Sequence, residues 1–583
     1  MTTKPNNTDT VIYHAPRKKY ASTPKSSIVP IGIDTEADID GRCFMICDSE
    51  GYVWTPDLFP YCLFDRAHRD CAYVCYNLKY DMGALLQLLP EASLDQLRRT
   101  GKTKHNDFRY RVITNKYLGI SKGHHSVQIY DIMGFYGGSL DYNAKKYLQE
   151  EKLHENTKEF TTDYIKKNWQ SISAYCIQDA KLTKRLAWRI ISQFNSWGLH
   201  VRKLYSTAHV SYSWFAAKCG HPSVGYFWHY NRHVLDYAMA SYNGGKFEVT
   251  KKGAGYLYEY DISSAYPHSI RNLIGLDNCR VVWSNRYRNN AIYAFIDATL
   301  NIPVELPSPV AVKRYNVNTY PYGTFRKVIT KQEYDYLITK NTNIQIHNAC
   351  WIHVDKKIYP YRKEIDRLYA LKSSLKDSDD LLAYHTVKIL MNSLYGKFVQ
   401  LIDTPYGWRA GASWNPIYAS VITAETRVRM SLLQLQYPSV WAVHTDSVIS
   451  SQKLPFERDI TLGNLSYETE GNGMVAGCGI YQIGNKTALR GVPSVYPLIE
   501  LATNSGKELT MSRKAPRTWR QVLANSWPLD RINKFEDIVR NLRPDMDRKR
   551  LWVEDCQTWS DLVDDTYESE PLSYGPLFYP FVS

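Results

Sequence analysis

Short apolar runs alternate with amphipathic segments over most of the 583 residues. Runs 28–34 and 72–78 are apolar and rich in β-branched and aromatic residues, which predicts buried strands. Segments 81–89 and 174–194 place apolar residues at helical spacing, which predicts amphipathic helices. Because strands and helices are interleaved, an α/β domain is predicted over residues 28–197.

The two ends of this predicted domain differ in character. Residues 1–27 lack periodic apolar positions and are rich in Thr, Pro, Ser, Lys and Arg, which predicts a flexible basic tail. A second region of mixed strands and helices begins near Gly198. Since the chain is longer than one hydrophobic core usually organises, a multidomain α/β and α+β protein is expected.

Basic residues outnumber acidic ones, with 72 Lys and Arg against 58 Asp and Glu and a formal net charge of +14. This excess favours a polyanionic partner such as nucleic acid, because binding releases condensed counterions. The 46 Tyr and 15 Trp residues offer stacking surfaces for unpaired bases. No apolar run is long enough to cross a bilayer and no signal-peptide pattern is present, so an intracellular protein without membrane contact is expected.

The 11 cysteines are scattered singly, apart from the pairs Cys43 with Cys47 and Cys71 with Cys75. The spacing within each pair raises zinc ligation as an alternative. Both pairs lie in apolar, strand-like stretches, so buried thiols are the preferred interpretation. An odd count without a disulfide framework fits a reducing compartment.

Acidic residues recur at suggestive spacings in the first domain. A strand period of two puts Asp34 and Glu36 on one face, where they repel each other unless a cation lies between them. Further on, Asn77 is a candidate helix cap with Asp81 in the first helical turn. Taken singly, each acid is better explained as a solvated surface group or a cap.

Tyr175 and Asp179 are four residues apart and therefore share a helical face. The order Asp-x-Glu, Asn-x3-Asp, Tyr-x3-Asp resembles the three motifs of the proofreading 3'-5' exonuclease domain of DNA polymerases, which has an RNase H-like fold. The resemblance implies two Mg²⁺ ions, with Mn²⁺ as a substitute, held by Asp34, Glu36, Asp81 and Asp179. It also implies that Tyr175 orients the attacking water, that Asn77 contacts DNA, and that Lys145 or Lys146 lies near the scissile phosphate.

A second set of motifs lies in the C-terminal two thirds of the chain. Residues 256–267 predict a buried strand that ends at Asp261, a tight turn and then a helix. Such a turn offers backbone N–H groups to phosphates. Residues 441–450 predict a β-hairpin with Asp446 at its turn.

Between these two motifs, Lys388, Asn392 and Tyr395 are spaced i, i+4, i+7, which predicts one helical face with a cation, an amide and an aromatic ring. The alternative is an amphipathic core helix that ends at Gly396. The three segments DISSAYP, KILMNSLYGKF and HTD resemble motifs A, B and C of family B DNA polymerases, in the order of that family.

This resemblance implies a right-hand polymerase of palm, fingers and thumb that copies a DNA template with dNTPs. Two Mg²⁺ ions are again expected. The implied metal ligands are Asp261, Ile262 and Asp446. The implied nucleotide-binding residues are Ile262, Ser263, Ser264, Ala265, Tyr266, Arg367, Lys372, Lys388, Asn392 and Tyr395. The implied DNA-binding residues, besides Asn77 and Lys145, are Tyr242, Gly244, Gly245, Lys397, Thr445 and Lys486.

Tyr242, Gly244 and Gly245 resemble the YxGG linker with which such polymerases pass a primer end between their two sites. The long stretch between motifs A and B resembles the protein-primed subgroup of bacteriophages, other viruses and linear plasmids, in which an insertion docks a priming terminal protein. The expected domains are a tail at 1–27, exonuclease at 28–197, palm at 198–270, insertion at 271–355, fingers at 356–398, a short second insertion at 399–414, palm at 415–500 and thumb at 501–583.

Three departures from the family pattern affect these expectations. His444 replaces the first Asp of motif C, and Ala488 replaces the Tyr of a KxY motif that follows it. The second insertion is short, which does not favour strand displacement or high processivity and leaves room for a single-stranded-DNA-binding or processivity partner. Two other functions remain open: a nucleic-acid-primed polymerase, and an inactive DNA-binding scaffold, although none of the six principal acids is missing.

Overall fold

The computed structural model describes residues 24–65, 71–220, 224–376, 378–404, 407–491, 497–554 and 556–575. Most of the predicted tail, residues 1–23, lies outside the described residues. Within the described ranges, none of the helices is both long enough and apolar enough to span a membrane.

The N-terminal domain is an eight-stranded sheet with helices packed on it, and the predicted strands and helices are confirmed here. In the sheet order β3-β2-β1-β4-β8-β7-β6-β5, β1 and β4 pair in parallel, as do β4 and β8. Its strands are β1 Val29–Ala37, β2 Cys43–Asp48, β3 Val53–Trp54, β4 Cys71–Cys75, β5 Lys102–His105, β6 Phe108–Ile113, β7 Tyr117–Lys122 and β8 His125–Asp131. Its helices are α1 Tyr61–Phe64, α2 Leu78–Leu86, α3 Glu91–Thr100, α4 Met133–Tyr136, α5 Leu140–Leu148, α6 Thr162–Lys167 and α7 Trp169–Ser196.

Three helices connect this domain to the next sheet and pack mainly with later elements of the chain. They share the largest hydrophobic core with the C-terminal half of α7, through buried residues such as Trp214 and Leu235. The elements of this stretch are α8 Thr207–Cys219, α9 Gly225–Tyr230, α10 Arg232–Ser241, β9 Lys246–Val249, β10 Lys251–Ile262 and α11 Ala265–Arg271.

The insertion, residues 271–355, folds around a four-stranded sheet in the order β11-β16-β12-β15 with one helix and a hydrophobic core of its own. Its elements are β11 Arg280–Trp283, β12 Tyr293–Ile302, β13 Val312–Arg314, β14 Val317–Thr319, β15 Gly323–Thr330, α12 Lys331–Thr339 and β16 Asn343–His353.

The helices that follow differ from the expected continuous motif B helix. They are α13 Arg362–Leu375, α14 Leu381–Asn392 and α15 Tyr395–Phe398, followed by a small hairpin of β17 Leu401–Thr404 and β18 Gly407–Ala410. Helix α14 ends at Asn392 and Tyr395 begins a separate short helix, so Lys388 and Asn392 lie on one helix and Tyr395 on the next. Leu390 of α14, Leu394 and Phe398 are all buried in the large core, so the buried side of α14 continues into the short helix.

The central sheet collects strands from distant parts of the chain in the order β23-β22-β21-β10-β20-β19-β9. Strand β10 pairs antiparallel with both β20 and β21. The elements that complete it are α16 Pro416–Gln436, β19 Val440–Thr445, β20 Ser447–Ser450, β21 Leu465–Gly477, β22 Ile480–Ile483 and β23 Lys486–Leu489.

The C-terminal region both extends this sheet and reaches the N-terminal domain. Strand β27 pairs with β10 and with β26. The β24–β25 hairpin carries α18 between its strands, and Trp519, Val522 and Ile532 of that tip are buried in the core of the N-terminal domain. Its elements are α17 Leu498–Thr503, β24 Leu509–Pro516, α18 Trp519–Ala524, β25 Phe535–Leu542, β26 Arg550–Trp552, α19 Trp559–Asp564 and β27 Thr566–Pro571.

Two candidate catalytic sites

The first site, the N-terminal cluster, consists of Asp34, Glu36, Asp81 and Asp179. Strand β1 carries the first two acids, and α7 crosses β1 at very close range. A Cβ on Gly32 would lie 1.8 Å from the carbonyl oxygen of Ala180, so only glycine permits this approach. The close crossing brings the acid on α7 up to the acids on β1.

Asp81 joins the cluster from α2, in whose first turn it was predicted to lie. The hydroxyl of Thr35 donates to its Oδ1 over 2.9 Å. Asn77 precedes this helix as expected, but the prediction that its side chain caps the helix is wrong. Its φ is 71°, and its N–H instead donates to Oδ1 of Asp131 over 3.1 Å.

A lysine that the sequence analysis did not single out completes the cluster. Lys152 forms an ion pair with Asp179, and its Nζ lies 4.6 Å from the ring centroid of Tyr175. The predicted Lys145 is bonded to Asp141 over 3.2 Å instead, and Lys146 bonds the hydroxyl of Tyr142. No spacing rule marks Lys152, because it lies in a stretch without strand or helix between α5 and α6.

Burial and crowding raise the pKa of all four acids of the N-terminal cluster. Burial, then the neighbouring Asp81 and Asp179 carboxylates, raises the pKa of Asp34 well above its usual value. Burial and Asp179 raise the pKa of Glu36 to about 8. Burial raises the pKa of Asp81 to about 7 and that of Asp179 to about 6, although Lys152 acts against the shift at Asp179. A cation among these acids would relieve their repulsion.

The donor set fits a hard divalent ion. Ligand atoms of Asp34, Glu36 and Cys176 lie within 4.8 Å of one another, and Oδ1 of Asp179 is buried without a hydrogen-bond partner among the described residues. Burial raises the pKa of the Cys176 thiol, which keeps it neutral, and Mg²⁺ prefers oxygen ligands. The carboxylates, rather than the thiol, are therefore the candidate ligands.

The second site, the palm pair, consists of Asp261 on β10 and Asp446 in the turn between β19 and β20. Asp261 is the cross-strand partner of Ser447, and the N–H of Ile262 donates to the carbonyl oxygen of Asp446 over 2.9 Å. Burial, then Asp446, raises the pKa of Asp261 to about 7. The two acids thus lie on neighbouring strands, and the charge of Asp446 acts on Asp261. Thr445 takes a φ of 68°, unusual for a β-branched residue.

The turn after Asp261 is held tightly by its neighbours. The N–H of Ser263 donates to the carbonyl oxygen of Asn464 over 2.8 Å, so this amide and that of Ile262 are already bonded and are not free for phosphate, in contrast to the prediction. Ser264 has a φ of 56°, and Ala265 begins α11. The backbone groups open to a ligand are therefore those at the start of α11.

One of the three predicted triphosphate cations, Lys372, is bonded to this turn. Its Nζ donates to Oγ of Ser264 over 3.1 Å. Lys388 lies on α14, which packs against α13, the helix of Lys372. Burial, and then the ammonium of Lys388, lowers the pKa of Lys372. The guanidinium of Arg367 is instead bonded to Glu364 over 2.7 Å.

Three tyrosines form a stacked group beside the palm pair. The rings of Tyr266 and Tyr395 are stacked with centroids 4.6 Å apart, and the hydroxyls of Tyr395 and Tyr242 are 2.7 Å apart. Gly245 lies against the same group, because a Cβ there would be 2.6 Å from Cγ2 of Thr445 and 3.2 Å from the hydroxyl of Tyr266. The predicted linker and motifs A, B and C therefore meet at this point.

His444 occupies the place of an acid without acting as one. Its ring stacks on Tyr481 with centroids 4.9 Å apart. Burial, then Lys549 and Lys486, lowers its pKa to about 3, so the ring is neutral near pH 7. Lys486 is bonded to Glu259 over 2.6 Å, Lys397 donates to Gln400 over 3.0 Å, and Asn392 is exposed at the end of α14.

The fold combines an RNase H-like domain with a palm that carries two acids on paired strands. This combination is typical of right-hand polymerases that have an exonuclease domain. The model of the family "DNA polymerase type B, organellar and viral" matches residues 87–406, more than half of the chain. The chain belongs to this family.

One curated relative and two solved structures are also similar to this chain. A probable DNA polymerase of Ascobolus immersus is 26% identical over 171 residues, which cover 27% of this chain and 13% of that protein. Phi29 DNA polymerase in a ternary complex with primer-template DNA and incoming nucleotide superposes with a TM-score of 0.63 at 14% identity, over 88% of this chain and 100% of that one. Its orthorhombic crystal form gives 0.57 at 14% identity, over 80% and 90%. At this identity the structural likeness establishes the fold.

Proposed function

We propose that the chain is a DNA-directed DNA polymerase with a 3'-5' proofreading exonuclease. The observation that carries the proposal is the palm pair on adjacent strands, with Lys372 bonded to the turn that follows Asp261 and Lys388 next to it. Acids and bases around one turn suit nucleotide transfer from a triphosphate, in which negative charge must be both held and neutralised.

Each residue of the palm site has a role in this proposal. Asp261, Asp446 and the carbonyl of Ile262 would hold Mg²⁺, or Mn²⁺ in its place, which supplies charge neutralisation and an acidified primer hydroxyl. Lys372 and Lys388 bind the triphosphate oxygens. Residues 263–265 shape the turn that receives the triphosphate.

The stacked tyrosines select the nucleotide. The Tyr266 ring lies beneath the sugar and excludes a 2'-hydroxyl, while Tyr395 and Asn392 contact the nascent base pair. Since Arg367 is committed to Glu364, a triphosphate contact from it requires that ion pair to open. We therefore assign the triphosphate to the two lysines.

At the N-terminal cluster the proposed reaction is hydrolysis of a primer end. Asp34, Glu36, Asp81 and Asp179 would hold Mg²⁺, which supplies neutralisation of the scissile phosphate. Tyr175 orients the attacking water. Lys152, which contacts both Tyr175 and Asp179, takes the position next to the phosphate that Lys145 was predicted to fill.

The remaining predicted DNA contacts are kept in the proposal. The linker, residues 242–245, lies beside the palm pair and is proposed to guide the primer end. The proposed DNA contacts are Asn77, Tyr242, Gly244, Gly245, Lys397, Thr445 and Lys486. For Lys486 the ion pair with Glu259 competes with a primer phosphate, so its contribution is expected to be small.

We further propose that replication starts on a terminal protein. The insertion supports this role because it folds around a sheet and a core of its own and interrupts the chain between the two halves of the polymerase site. Such a unit can offer a docking surface next to the palm. The alternative start is a nucleic-acid primer, which needs no insertion.

The test of the two activities is a labelled primer on a template, with Mg²⁺ and dNTPs. We expect Asp446→Asn to reduce extension by more than about 10³-fold while leaving degradation of single-stranded DNA intact. Asp34→Asn combined with Glu36→Gln should do the reverse. Equal loss of both activities in either variant would contradict two separate sites.

The test of priming compares two starts under the same conditions. The enzyme is incubated with labelled dNTP, a template end, and either a candidate terminal protein or an oligonucleotide. We expect label that stays attached to the protein after denaturation. Label found on the oligonucleotide alone would favour a nucleic-acid-primed polymerase.

A further inference from the structure

A fully buried arginine joins three parts of the molecule. Arg427 lies on α16 of the palm with 0% of its side chain exposed. Its Nη1 donates to the carbonyl oxygens of Asn243 and Gly244 over 2.8 and 2.9 Å. Its Nε donates to the carbonyl oxygen of Pro309 over 3.0 Å, and its Nη2 to Oε1 of Glu333 over 2.6 Å. Linker, insertion and palm thus meet on one side chain.

The insertion holds its end of this junction rigidly. Glu333 is 2% exposed and is the third residue of α12. Its Oε2 accepts the N–H of Thr330 over 2.9 Å in a capping box, which leaves Oε1 for Arg427. A buried carboxylate fixed from both sides gives the arginine a defined position rather than a mobile partner.

Further contacts run from the insertion to the same linker. The hydroxyl of Tyr320 donates to the carbonyl oxygen of Gly245 over 3.4 Å. Just after the linker, the buried ammonium of Lys246 donates to the carbonyl oxygen of Ser308 over 3.0 Å. The carbonyl oxygens of residues 243–245 and the side chain of Lys246 are therefore all bonded to the insertion or to Arg427.

The opposite side of the linker touches the nucleotide site. Gly245 has no room for a Cβ because Thr445 and the Tyr266 hydroxyl lie against it. Tyr242 bonds Tyr395, which stacks on Tyr266. A shift of the linker therefore displaces the ring that we propose to lie beneath the sugar.

We propose that Arg427 is a positioning residue through which the insertion fixes the linker against Tyr266 and Thr445, and thereby sets discrimination between deoxyribonucleotides and ribonucleotides. This inference rests on the proposed polymerase function. Arg427 does not touch the substrate; it acts through the linker backbone. Its charge is matched by Glu333, so it serves as a fixed multiple donor that no lysine can replace.

The test measures kcat/KM for dATP and for ATP on the same primer-template, and takes their ratio. We expect Arg427→Lys and Glu333→Gln to lower the ratio at least about tenfold, since small misplacements of a positioned group have large kinetic effects. Gly245→Ala, which pushes the linker from the other side, should lower it as well. The ratio does not depend on the fraction of folded enzyme.

A matched control separates positioning from stability. Leu300→Ala removes a fully buried side chain from the core of the insertion without touching the linker, and should leave the ratio unchanged. An unchanged ratio in Arg427→Lys and in Glu333→Gln, or an equal loss in Leu300→Ala, would overturn the inference. Failure of the unmodified enzyme to incorporate dATP would instead overturn the proposed polymerase function.

Discussion

The N-terminal cluster and the palm pair solve the same electrostatic problem in different ways. The first crowds four acids into the interior and supplies an internal cation, Lys152, 20% exposed. The second uses one acid on β10 and one at the turn of the neighbouring hairpin, and keeps its lysines, Lys372 and Lys388, on the adjacent helices α13 and α14. The contrast teaches that a permanent protein cation suits a site that receives one phosphate, whereas a triphosphate site leaves its cations free to bind the substrate.

Removing the internal cation should affect the first site alone. We expect Lys152→Met to lower exonuclease activity about 10²-fold and to leave primer extension unchanged, because the charge next to Asp179 and Tyr175 is lost. The measurement is the rate of degradation of labelled single-stranded DNA. Lys145→Met is the matched control and should have little effect, since Lys145 pairs with Asp141. The opposite order of the two variants would restore the sequence-based assignment.

The two sites should also differ in how their metal-free forms respond to pH. Glu36 and Asp81 have folded-state pKa values of about 8 and 7, well above the value of about 4 expected in the unfolded chain. The folded protein therefore binds more protons, and their contribution to stability, present at low pH, is lost as the pH rises through 7 to 8. In EDTA, calorimetry should show a Tm that falls by about 5 °C or more between pH 6 and pH 8.

Variants of each site show which one causes that fall. Asp34→Asn combined with Glu36→Gln should flatten the pH dependence and abolish the rise in Tm on adding Mg²⁺ at pH 8. Asp261→Asn should change it less, because it removes one acid of raised pKa rather than two. A fall of the same size in the N-terminal double variant would mean that other groups cause it.

Substitutions of His444 test whether its imidazole takes part in the reaction or only fills the space of the acid that the family has there. Because the ring is neutral and stacked on Tyr481, we expect His444→Phe to keep primer extension within about threefold. His444→Ala should instead lower the Tm, through loss of packing. Inactivity of the phenylalanine variant comparable to that of Asp446→Asn would show that the imidazole takes part in the reaction.

The comparison also shows where sequence reasoning succeeds. Asp34 and Glu36 lie on one strand, and Asp261 lies near the end of another, just before its turn. The local pattern of the sequence is therefore enough to predict their positions. The break of α14 after Asn392 leaves no mark in the sequence, because Leu390, Leu394 and Phe398 keep helical spacing and burial across it. Lys152 and Arg427 act through tertiary contacts with distant elements, and no spacing along the chain identifies them.

The C-terminal hairpin contacts α2, the helix that carries Asp81. Asn533, with a φ of 63°, donates from its side chain to the carbonyl oxygen of Tyr80 over 2.9 Å. A Cβ on Gly83 would lie 2.1 Å from its Oδ1. Gly83→Ala should therefore displace the hairpin tip or the helix, and we expect a loss of exonuclease activity of a few-fold, about the effect of a small shift of one ligand.

The paired substitution decides whether this contact matters. Asn533→Gly suits the positive φ and removes the clashing side chain, so it should restore activity to Gly83→Ala. Gly134→Ala, a helical glycine with open space around it, should behave as the unmodified enzyme. Rescue would show that a segment 450 residues away in the chain sets the position of Asp81. Without rescue, the helix itself, rather than the hairpin, would account for the loss. In that case the geometry of the palm pair would depend more on segments distant in the chain than the geometry of the N-terminal cluster does.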